Sequence, residues 1–324
     1  MNQKFIDFMR AFYGKKLAVA VSGGVDSVAL LHWLVEIGAD IVCLHVNHGL
    51  RAAADTESEY VKELCQKLKV PVQIFYWTDE KPTAGIEAAA RAARYKMMTD
   101  FCADNGIEYL LTAHQADDQI ETFLMNLGRG SGVFGLAAMQ AVSMRDGIKI
   151  VRPLLNVSRE ELREYCDSRG IKYFMDEMND DARYTRVRIR QNRHVLRDML
   201  GISDDRILLA IENLARARDA IANDIDKLVA DVMGDGFAMF SDSFLFDLMP
   251  DFRLKFIGTL IQKIGGDKYP PRLNSLENAE KKLHADCKFT LGHCTVRRLG
   301  ARILIVPEGA KTTFRKRHGK IRKN

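Results

Sequence analysis

The stretch Val19-Ala20-Val21-Ser22-Gly23-Gly24-Val25-Asp26-Ser27 decides how the first half of this 324-residue chain folds. Residues 17–21 form a short apolar run without charge, which is typical of a strand buried on both faces of a parallel sheet. A helical pattern follows from Ser27 to Ile37. Gly23 and Gly24 therefore lie in a strand-to-helix turn, where glycine permits a tight backbone with exposed N–H groups.

This turn has the features of an anion-binding loop. Backbone N–H groups at a helix start attract phosphate, and the two serines add hydroxyl donors. Asp26 repels phosphate unless Mg²⁺ lies between them, so it is the predicted magnesium ligand. A plain turn capped by Asp or Ser is the structural alternative. We expect the following residues to bind ATP: Ser22, Gly23, Gly24, Val25, Asp26 and Ser27.

Short strands alternate with helical patterns through the first half of the chain. The predicted strands are 17–21, 41–46, 72–77 and 109–113, and the predicted helices are 27–37, 55–69, 86–105 and 117–127. This alternation predicts an α/β fold, a doubly wound and mainly parallel sheet covered by helices on both faces. Ligands of such sheets bind beyond the carboxyl ends of the strands. The polar segments 22–27, 47–51 and 114–121 all fall there.

The second half of the chain has a different texture. A helical pattern covers 204–230, and helices near 250–263 and 272–284 precede short strands at 288–291, 294–298 and 302–306. We therefore predict three parts joined by a linker helix. They are a catalytic domain at 1–200, a small α+β accessory domain at 201–310 and a basic tail at 311–324.

Charge and cysteine usage limit the class of protein. The net charge is +5, and the tail alone holds seven Lys/Arg and no acid, which suggests contact with a polyanion, with a disordered solubilising tail as the equal alternative. No apolar run is long enough to cross a bilayer, and the N-terminus lacks a signal-peptide core. The six cysteines form no C-x-x-C pair. We expect the cysteines to be reduced thiols, and the protein to be cytoplasmic and not associated with a membrane.

A second basic cluster lies between residues 183 and 197. Six arginines fall within fifteen residues, and like charge at this density is costly unless an anion is bound among it. Arginines in this arrangement fit the phosphates or unstacked bases of an RNA. The candidates for RNA binding are Arg183, Arg186, Arg188 and Arg190.

Several motifs together carry a family resemblance. Ser22–Ser27 is similar to the SGGxDS signature of the PP-loop ATP pyrophosphatase family. Further segments, taken in order, resemble the tRNA(Ile)-lysidine synthase family of that superfamily. These segments are His45–Arg51, Gly85–Tyr95, Thr112–Thr122, Arg129–Gly132, Gly135–Met139 and Arg152–Leu155. The resemblance covers residues 15–200 closely and 205–306 more loosely, as that family's small tRNA-binding domain.

The resemblance implies a specific reaction. Members of the family use ATP and Mg²⁺ to adenylate the C2 oxygen of the wobble cytidine in a CAU-anticodon isoleucine tRNA. Free L-lysine then displaces AMP, and pyrophosphate is the other product. A PP-loop tRNA thiolation enzyme is the nearest alternative, but we would expect it to show C-x-x-C pairs or a catalytic cysteine. A nucleotide-sensing RNA-binding protein without catalysis is a second alternative. The oligomeric state stays open, a homodimer included.

Two carboxylates fit the lysine half of this reaction. The ε-amine has a pKa of about 10.4, so the enzyme must bind an ammonium and remove its proton. Asp118 and Glu121 lie three residues apart on one face of a helix, and we assign them to lysine recognition and amine activation. Complementing the helix dipole is the alternative role for such acids. Asp117 is a candidate for capping the same helix.

The remaining site residues come from the resemblance. It implies that Arg91 contacts an ATP phosphate or the substrate, with catalytic partners Asp26, Asp118 and Glu121. Arg94 either makes the same kind of contact with phosphate or substrate or forms a surface ion pair, and both alternatives stay open. His114 is either a hydrogen-bond partner of the nucleotide or a structural histidine, and Val46 and Asn47 follow the strand whose end reads adenine in this family. Longer family members carry a further C-terminal domain, where this sequence has its basic tail.

Overall fold

The fold is described by a computed structural model, which covers residues 2–49, 54–79, 81–82, 84–174, 185–267 and 269–310. The chain divides into two compact units, Met1–Arg216 and Ala217–Asn324. This division falls inside a helix that begins at Asp204, and the domain bounds predicted from the sequence stay a prediction. The tail at 311–324, Arg51 and Arg183 lie outside the described residues.

The first unit contains a six-stranded sheet and the helices around it. Its elements are α1 (Gln3–Met9), β1 (Leu17–Ala20), α2 (Val25–Glu36), β2 (Ile41–Asn47), α3 (Ala54–Leu68), β3 (Val72–Tyr76), α4 (Ile86–Asp104), β4 (Tyr109–Leu111), α5 (Ala116–Leu127), α6 (Val133–Leu136), β5 (Val142–Arg145), β6 (Ile148–Val151), α7 (Arg159–Ser168), α8 (Thr185–Leu200) and the start of α9 (Asp204–Val232).

The sheet order is β3-β2-β1-β4-β6-β5, and every pair is parallel except β5 with β6. Leu17 of β1 pairs with Ile41 of β2 on one side and with Tyr109 of β4 on the other. The chain therefore winds outward from β1 in one direction and then returns to its other side. Ligands of doubly wound sheets bind at this switch point, beyond the carboxyl ends of β1 and β4. The predicted fold class is confirmed.

Both faces of the sheet are buried, as the apolar runs predicted. Leu17, Val19 and Cys43 belong to a core that α1, α2 and α7 complete. The alternate residues Ala18 and Leu44 belong to a second core, which α4 covers. This separation follows from the two-residue period of a strand. As a result, α2 packs on one face of the sheet and α4 on the opposite face.

The sequence analysis missed an antiparallel hairpin and a helix. Strands β5 and β6 turn at Asp146-Gly147, both with positive φ, and this Asp-Gly pair is a strong hairpin signal that was available. Helix α8 carries most of the second basic cluster, for which the sequence analysis predicted no secondary structure. Its apolar signal is weak because Val187 is the one residue of α8 that is buried.

The second unit is built on an antiparallel sheet of order β7-β10-β9-β8. Its elements are β7 (Ala238–Ser241), α10 (Asp242–Asp247), α11 (Pro250–Gly265), α12 (Leu273–His284), β8 (Phe289–Leu291), β9 (Cys294–Leu299) and β10 (Arg302–Pro307). Phe240, Phe256 and Ile303 are part of its own apolar core. Among the described residues, we find no helix with the length and apolar character needed to cross a membrane.

Candidate active site

The loop between β1 and α2 is held by its own side chains. The Ser27 hydroxyl donates to the Gly24 carbonyl at 3.0 Å and accepts from the Ser22 backbone N–H at 3.1 Å. Gly23 has a φ of +91°, a conformation that side chains rarely adopt, and its carbonyl accepts from Phe174 N–H at 2.9 Å. The loop is therefore shaped before any ligand binds, with the first-turn N–H groups of α2 at its end.

A cavity of about 450 Å³ lies over this loop, beyond the ends of β1, β2 and β4. The polar and charged side chains that line it include Ser22, Asp26, Ser27, His45, His48, Glu57, Arg94, Thr112, His114, Gln115, Asp118, Arg159 and Arg190. Tyr95, Met98 and Phe174 are among its apolar walls. A cradle of N–H groups beside an apolar pocket is the arrangement that a nucleotide requires.

Most of the predicted ATP-binding residues meet at this cavity, but two do not reach its lining. Ser22, Gly24, Val25, Asp26, Ser27, Val46 and His114 contribute to its walls. Asn47 is buried, and its amide donates to Asp55 at 2.8 Å while its oxygen accepts from Gly49 N–H. Its side chain thus shapes the turn after β2. Gly23 acts through its backbone conformation.

Asp26 lies in the first turn of α2 with an unusual carboxylate environment. Burial raises its pKa from 3.8 to about 6, and the nearby Arg159 opposes that rise. Its Oδ1 atom accepts no hydrogen bond from any described residue, and Arg159 Nε lies 3.9 Å away. A buried carboxylate oxygen without a donor, next to a phosphate cradle, suits a hard cation such as Mg²⁺.

The two acids in the first turn of α5, Asp117 and Asp118, have different hydrogen-bond partners. Gln115 caps the helix, and Asp118 completes the capping box by accepting from Gln115 N–H at 3.1 Å. Asp117, our candidate for the cap, instead accepts from Arg159 N–H at 2.9 Å and from Arg193 Nη2 at 2.6 Å. Its carboxylate reaches across because α7 begins beside α5. Asp118 therefore both caps its helix and lines the cavity.

Glu121 lies behind Asp118 and is completely buried. Its Oε1 accepts a hydrogen bond from Arg190 Nε at 2.8 Å and lies 2.8 Å from Arg190 Nη2 in an ion pair, while Oε2 has no hydrogen-bond partner among the described residues. Burial raises the pKa of Glu121, and Arg190 acts in the opposite direction. Burial likewise raises the pKa of Asp118. Asp118, unlike Glu121, is among the residues that line the cavity.

Arginines surround Tyr95 on the α4 side of the cavity. The guanidinium carbons of Arg145, Arg91 and Arg94 lie 3.9, 5.2 and 5.8 Å from the centre of its ring. Arg94 lines the cavity, whereas Arg91 lies one turn earlier on α4 and is exposed. Burial, together with nearby arginines, lowers the pKa of His114 to about 3, so this histidine is neutral. Its Nδ1 lies 2.9 Å from the Thr112 hydroxyl.

The helical conformation of α8 sorts its arginines onto different sides. Arg190 and Arg193 pair with the acids of α5, as described above, whereas Arg186 and Arg188 are exposed. In a strand-like run with alternating arginines, residues 186, 188 and 190 would have shared one face. The tRNA-binding role assigned to these residues and to Arg183 stays a prediction.

Arg159 is the site residue that sequence reasoning missed. The S-x-x-E capping box at Ser158–Glu161 marks the start of α7, so the sequence does place Arg159 in a first helical turn. The sequence gives no indication, however, that this turn lies beside α2 and α5. That neighbourhood depends on long-range contacts, including the hydrogen bond from Ala116 N–H to the Val157 carbonyl at 2.9 Å.

Comparison with known proteins agrees with this geometry. A family model described as a PP-loop domain matches residues 1–196. A tRNA(Ile)-lysidine synthase of Ruegeria pomeroyi is 35% identical, over 95% of this chain and 78% of its own length. One from Wolbachia pipientis is also 35% identical, over 93% of this chain and 72% of its own. A U34-tRNA thiolase structure from Methanococcus maripaludis shares the fold, with a TM-score of 0.56 and 17% identity over 66% of this chain and 79% of its own.

Proposed function

Because the chain belongs to the PP-loop family and, within it, to the tRNA(Ile)-lysidine synthases, we propose that it ligates lysine to C2 of a wobble cytidine. The tRNA substrate is the isoleucine tRNA with a CAU anticodon, and ATP is converted to AMP and pyrophosphate. The observation that carries this assignment is a single cavity that combines the N-terminus of α2, Asp26 and Asp118. It offers a place for phosphates, a cation and an ammonium.

The first step activates the cytidine. Its O2 atom attacks the α-phosphorus of ATP, and the α–β bridging oxygen leaves with its electron pair on pyrophosphate. The N–H groups at the start of α2, together with the Ser22 and Ser27 hydroxyls, stabilise the phosphates during this transfer. Val46 and Met98 provide apolar walls for the adenine. Arg91 is proposed to contact the substrate from the exposed end of α4.

Asp26 is the residue that would hold Mg²⁺. Its Oδ1, which has no hydrogen-bond donor in the part of the chain that the structure describes, and its position at the phosphate cradle both fit an ion that is bound by one or two carboxylates plus phosphate oxygens. When bound, Mg²⁺ supplies positive charge that offsets the phosphates. Asp26 thereby becomes an attractive group in a loop where its own charge would otherwise repel ATP.

The second step brings in the amine. Asp118 lines the cavity with a carboxylate that is only partly used by its helix cap, so it is the group that binds the lysine ammonium and accepts its proton. The neutral amine then attacks C2, and the C2–O bond breaks as AMP departs with that oxygen. Glu121 supports this step through Arg190, which lines the same cavity.

The tRNA contacts the protein through its basic surfaces. Arg186 and Arg188 are exposed on α8, next to the cavity wall formed by Arg190. In the second unit, Lys281 and Lys282 are exposed in the last turn of α12. Exposed cations of this kind fit phosphate contacts that position an RNA without reading its bases. A cytoplasmic location follows from this substrate.

The test is incorporation of labelled lysine into isoleucine tRNA, with AMP and pyrophosphate measured in the same reaction. The expected result is one AMP per lysine incorporated, and no AMP when the tRNA carries a different wobble base. AMP that appears only with a sulfur donor would contradict the assignment and favour thiolation. ATP binding without AMP formation, with both substrates present, would favour a nucleotide-sensing protein.

A further inference from the structure

Arg159 lies between two cavities. It is the first residue of α7, and its side chain lines both the ATP cavity and a second cavity of about 430 Å³. Its backbone is fixed, because its N–H donates to Asp117 at 2.9 Å. The guanidinium therefore has a rigid anchor and space on either side of it.

The contact between Arg159 and Asp26 is incomplete. Arg159 Nε and Asp26 Oδ1 are 3.9 Å apart, too far for a hydrogen bond, and the two side chains are 28% and 26% exposed. Neither atom has a hydrogen-bond partner among the described residues. Buried polar atoms are normally hydrogen-bonded, and these two atoms, at the mouth of a phosphate cradle, have no such partner within the described part of the chain.

We propose that Arg159 binds the β- and γ-phosphates of ATP and the pyrophosphate that they become. This inference rests on the proposed function. Before ATP binds, Arg159 balances the charge of Asp26. With Asp26 holding a cation, the guanidinium would be free to contact phosphate, for which its planar fork of donors is suited.

The other arginines that line the ATP cavity are engaged elsewhere. Arg190 donates from Nε to Glu121 at 2.8 Å and pairs with the same carboxylate through Nη2. Arg94 lies over Tyr95 on the α4 side. Arg159 is the lining arginine with a contact to Asp26 at the start of α2. It is thus the cation best placed for the end of ATP that leaves.

This position also suits the charge that develops in the reaction. As the bond between the α-phosphorus and the bridging oxygen breaks, one unit of negative charge moves onto pyrophosphate. A guanidinium that contacts this group stabilises the transition state more than the ground state. Loss of such a contact typically costs roughly 100- to 1,000-fold in rate.

The experiment compares Arg159→Met with Arg163→Met. Arg163 lies one turn later on α7 and lines the second cavity but not the ATP cavity. Binding of pyrophosphate with Mg²⁺ is measured calorimetrically without tRNA or lysine. We expect Arg159→Met to weaken pyrophosphate binding at least tenfold and to lower kcat/KM for ATP roughly 100-fold. KM for lysine should stay within twofold, and Arg163→Met should match the wild type.

The measurements of pyrophosphate binding and of lysidine formation test the inference and the proposed function separately. Wild-type pyrophosphate affinity in a folded Arg159→Met protein would overturn the inference, even if lysidine forms normally. Wild-type protein that binds pyrophosphate through Arg159 but forms no lysidine would overturn the proposed function and leave the inference in place. If Arg159→Met does not fold, Arg159→Lys decides, because it keeps the charge but loses the two-pronged contact. A several-fold loss of pyrophosphate affinity supports the inference, and no loss contradicts it.

Discussion

Glu121 Oε1 accepts a hydrogen bond from Arg190 Nε at 2.8 Å and forms an ion pair with Arg190 Nη2 at the same distance. The glutamate is completely buried, while Arg190 is 29% exposed and lines the ATP cavity. The pair joins α5 to α8, so it connects the acids assigned to lysine with the helix that carries the arginines. Its integrity is therefore a condition both for stability and for the shape of the site.

Arg190→Ala should be strongly destabilising, because it leaves the Glu121 carboxylate buried without its partner. Breaking a buried pair on one side typically costs about 3–5 kcal/mol. We expect a loss in the free energy of unfolding of about 3 kcal/mol, measured by urea denaturation. Arg188→Ala, on the exposed side of α8, is the control and should change it by less than about 0.5 kcal/mol. An equally small loss in the free energy of unfolding for both variants would show that the Glu121–Arg190 pair does not contribute to stability.

Asp26→Asn should stabilise the ligand-free protein at neutral pH while abolishing adenylation. The pKa of Asp26 is raised to about 6 in the fold, so the folded state disfavours the charged form. Above about pH 6 the ionised carboxylate costs about 3 kcal/mol, and this cost disappears as the pH falls towards the ordinary value near 4. The melting temperature of Asp26→Asn should exceed that of the wild type by a few degrees at pH 7.

The pH series provides the check on this sign. The difference in melting temperature between Asp26→Asn and the wild type should shrink from pH 7 to pH 4, since both proteins are then uncharged at this position. A variant that is less stable than the wild type at pH 7 would contradict the burial argument. Wild-type adenylation by Asp26→Asn would remove Asp26 from the magnesium site.

Gly23→Ala should damage the loop even though space for a methyl group exists. A Cβ at this position would meet Phe174 at 3.5 Å, an ordinary contact, but the φ of +91° is unfavourable for alanine. We expect ATP affinity to fall at least tenfold, with about 1–3 kcal/mol of strain in the fold. Gly132→Ala, at a φ of −77° with open space around it, is the matched control. Nucleotide titration by calorimetry measures both.

The sequence predicted the four strands β1 to β4 and the phosphate loop because both depend on local patterns. Uncharged apolar runs identify buried strands, and Gly23-Gly24 between a strand and a helix indicates a phosphate loop without any tertiary information. Arg159 could not be predicted in the same way. Its role depends on α7 beginning beside α5, and such long-range contacts leave no periodic signal. The partner of Glu121 was hidden for the same reason, since 69 residues separate it from Arg190.

Asp118→Asn should separate the two roles of this residue, the helix cap and the binding of lysine. The amide keeps an oxygen that can accept from Gln115 N–H, so the cap and the melting temperature should be largely retained. It loses the charge that attracts an ammonium and the capacity to take its proton. A hydrogen bond to a charged group is worth about 1.5–3 kcal/mol, so KM for lysine should rise roughly 10- to 100-fold. Adenylation of the tRNA, measured as pyrophosphate release in the first turnover, should stay close to normal.

Asp117→Asn is the comparison that makes the Asp118 result specific. Asp117 also lies in the first turn of α5, but its carboxylate is held by Arg193 and by the N–H of Arg159. We therefore expect Asp117→Asn to lower the melting temperature and to leave KM for lysine nearly unchanged. If KM for lysine is instead unchanged in Asp118→Asn, the residue is only a cap. The amine must then be bound by another acid, and Glu121 becomes the remaining candidate on α5.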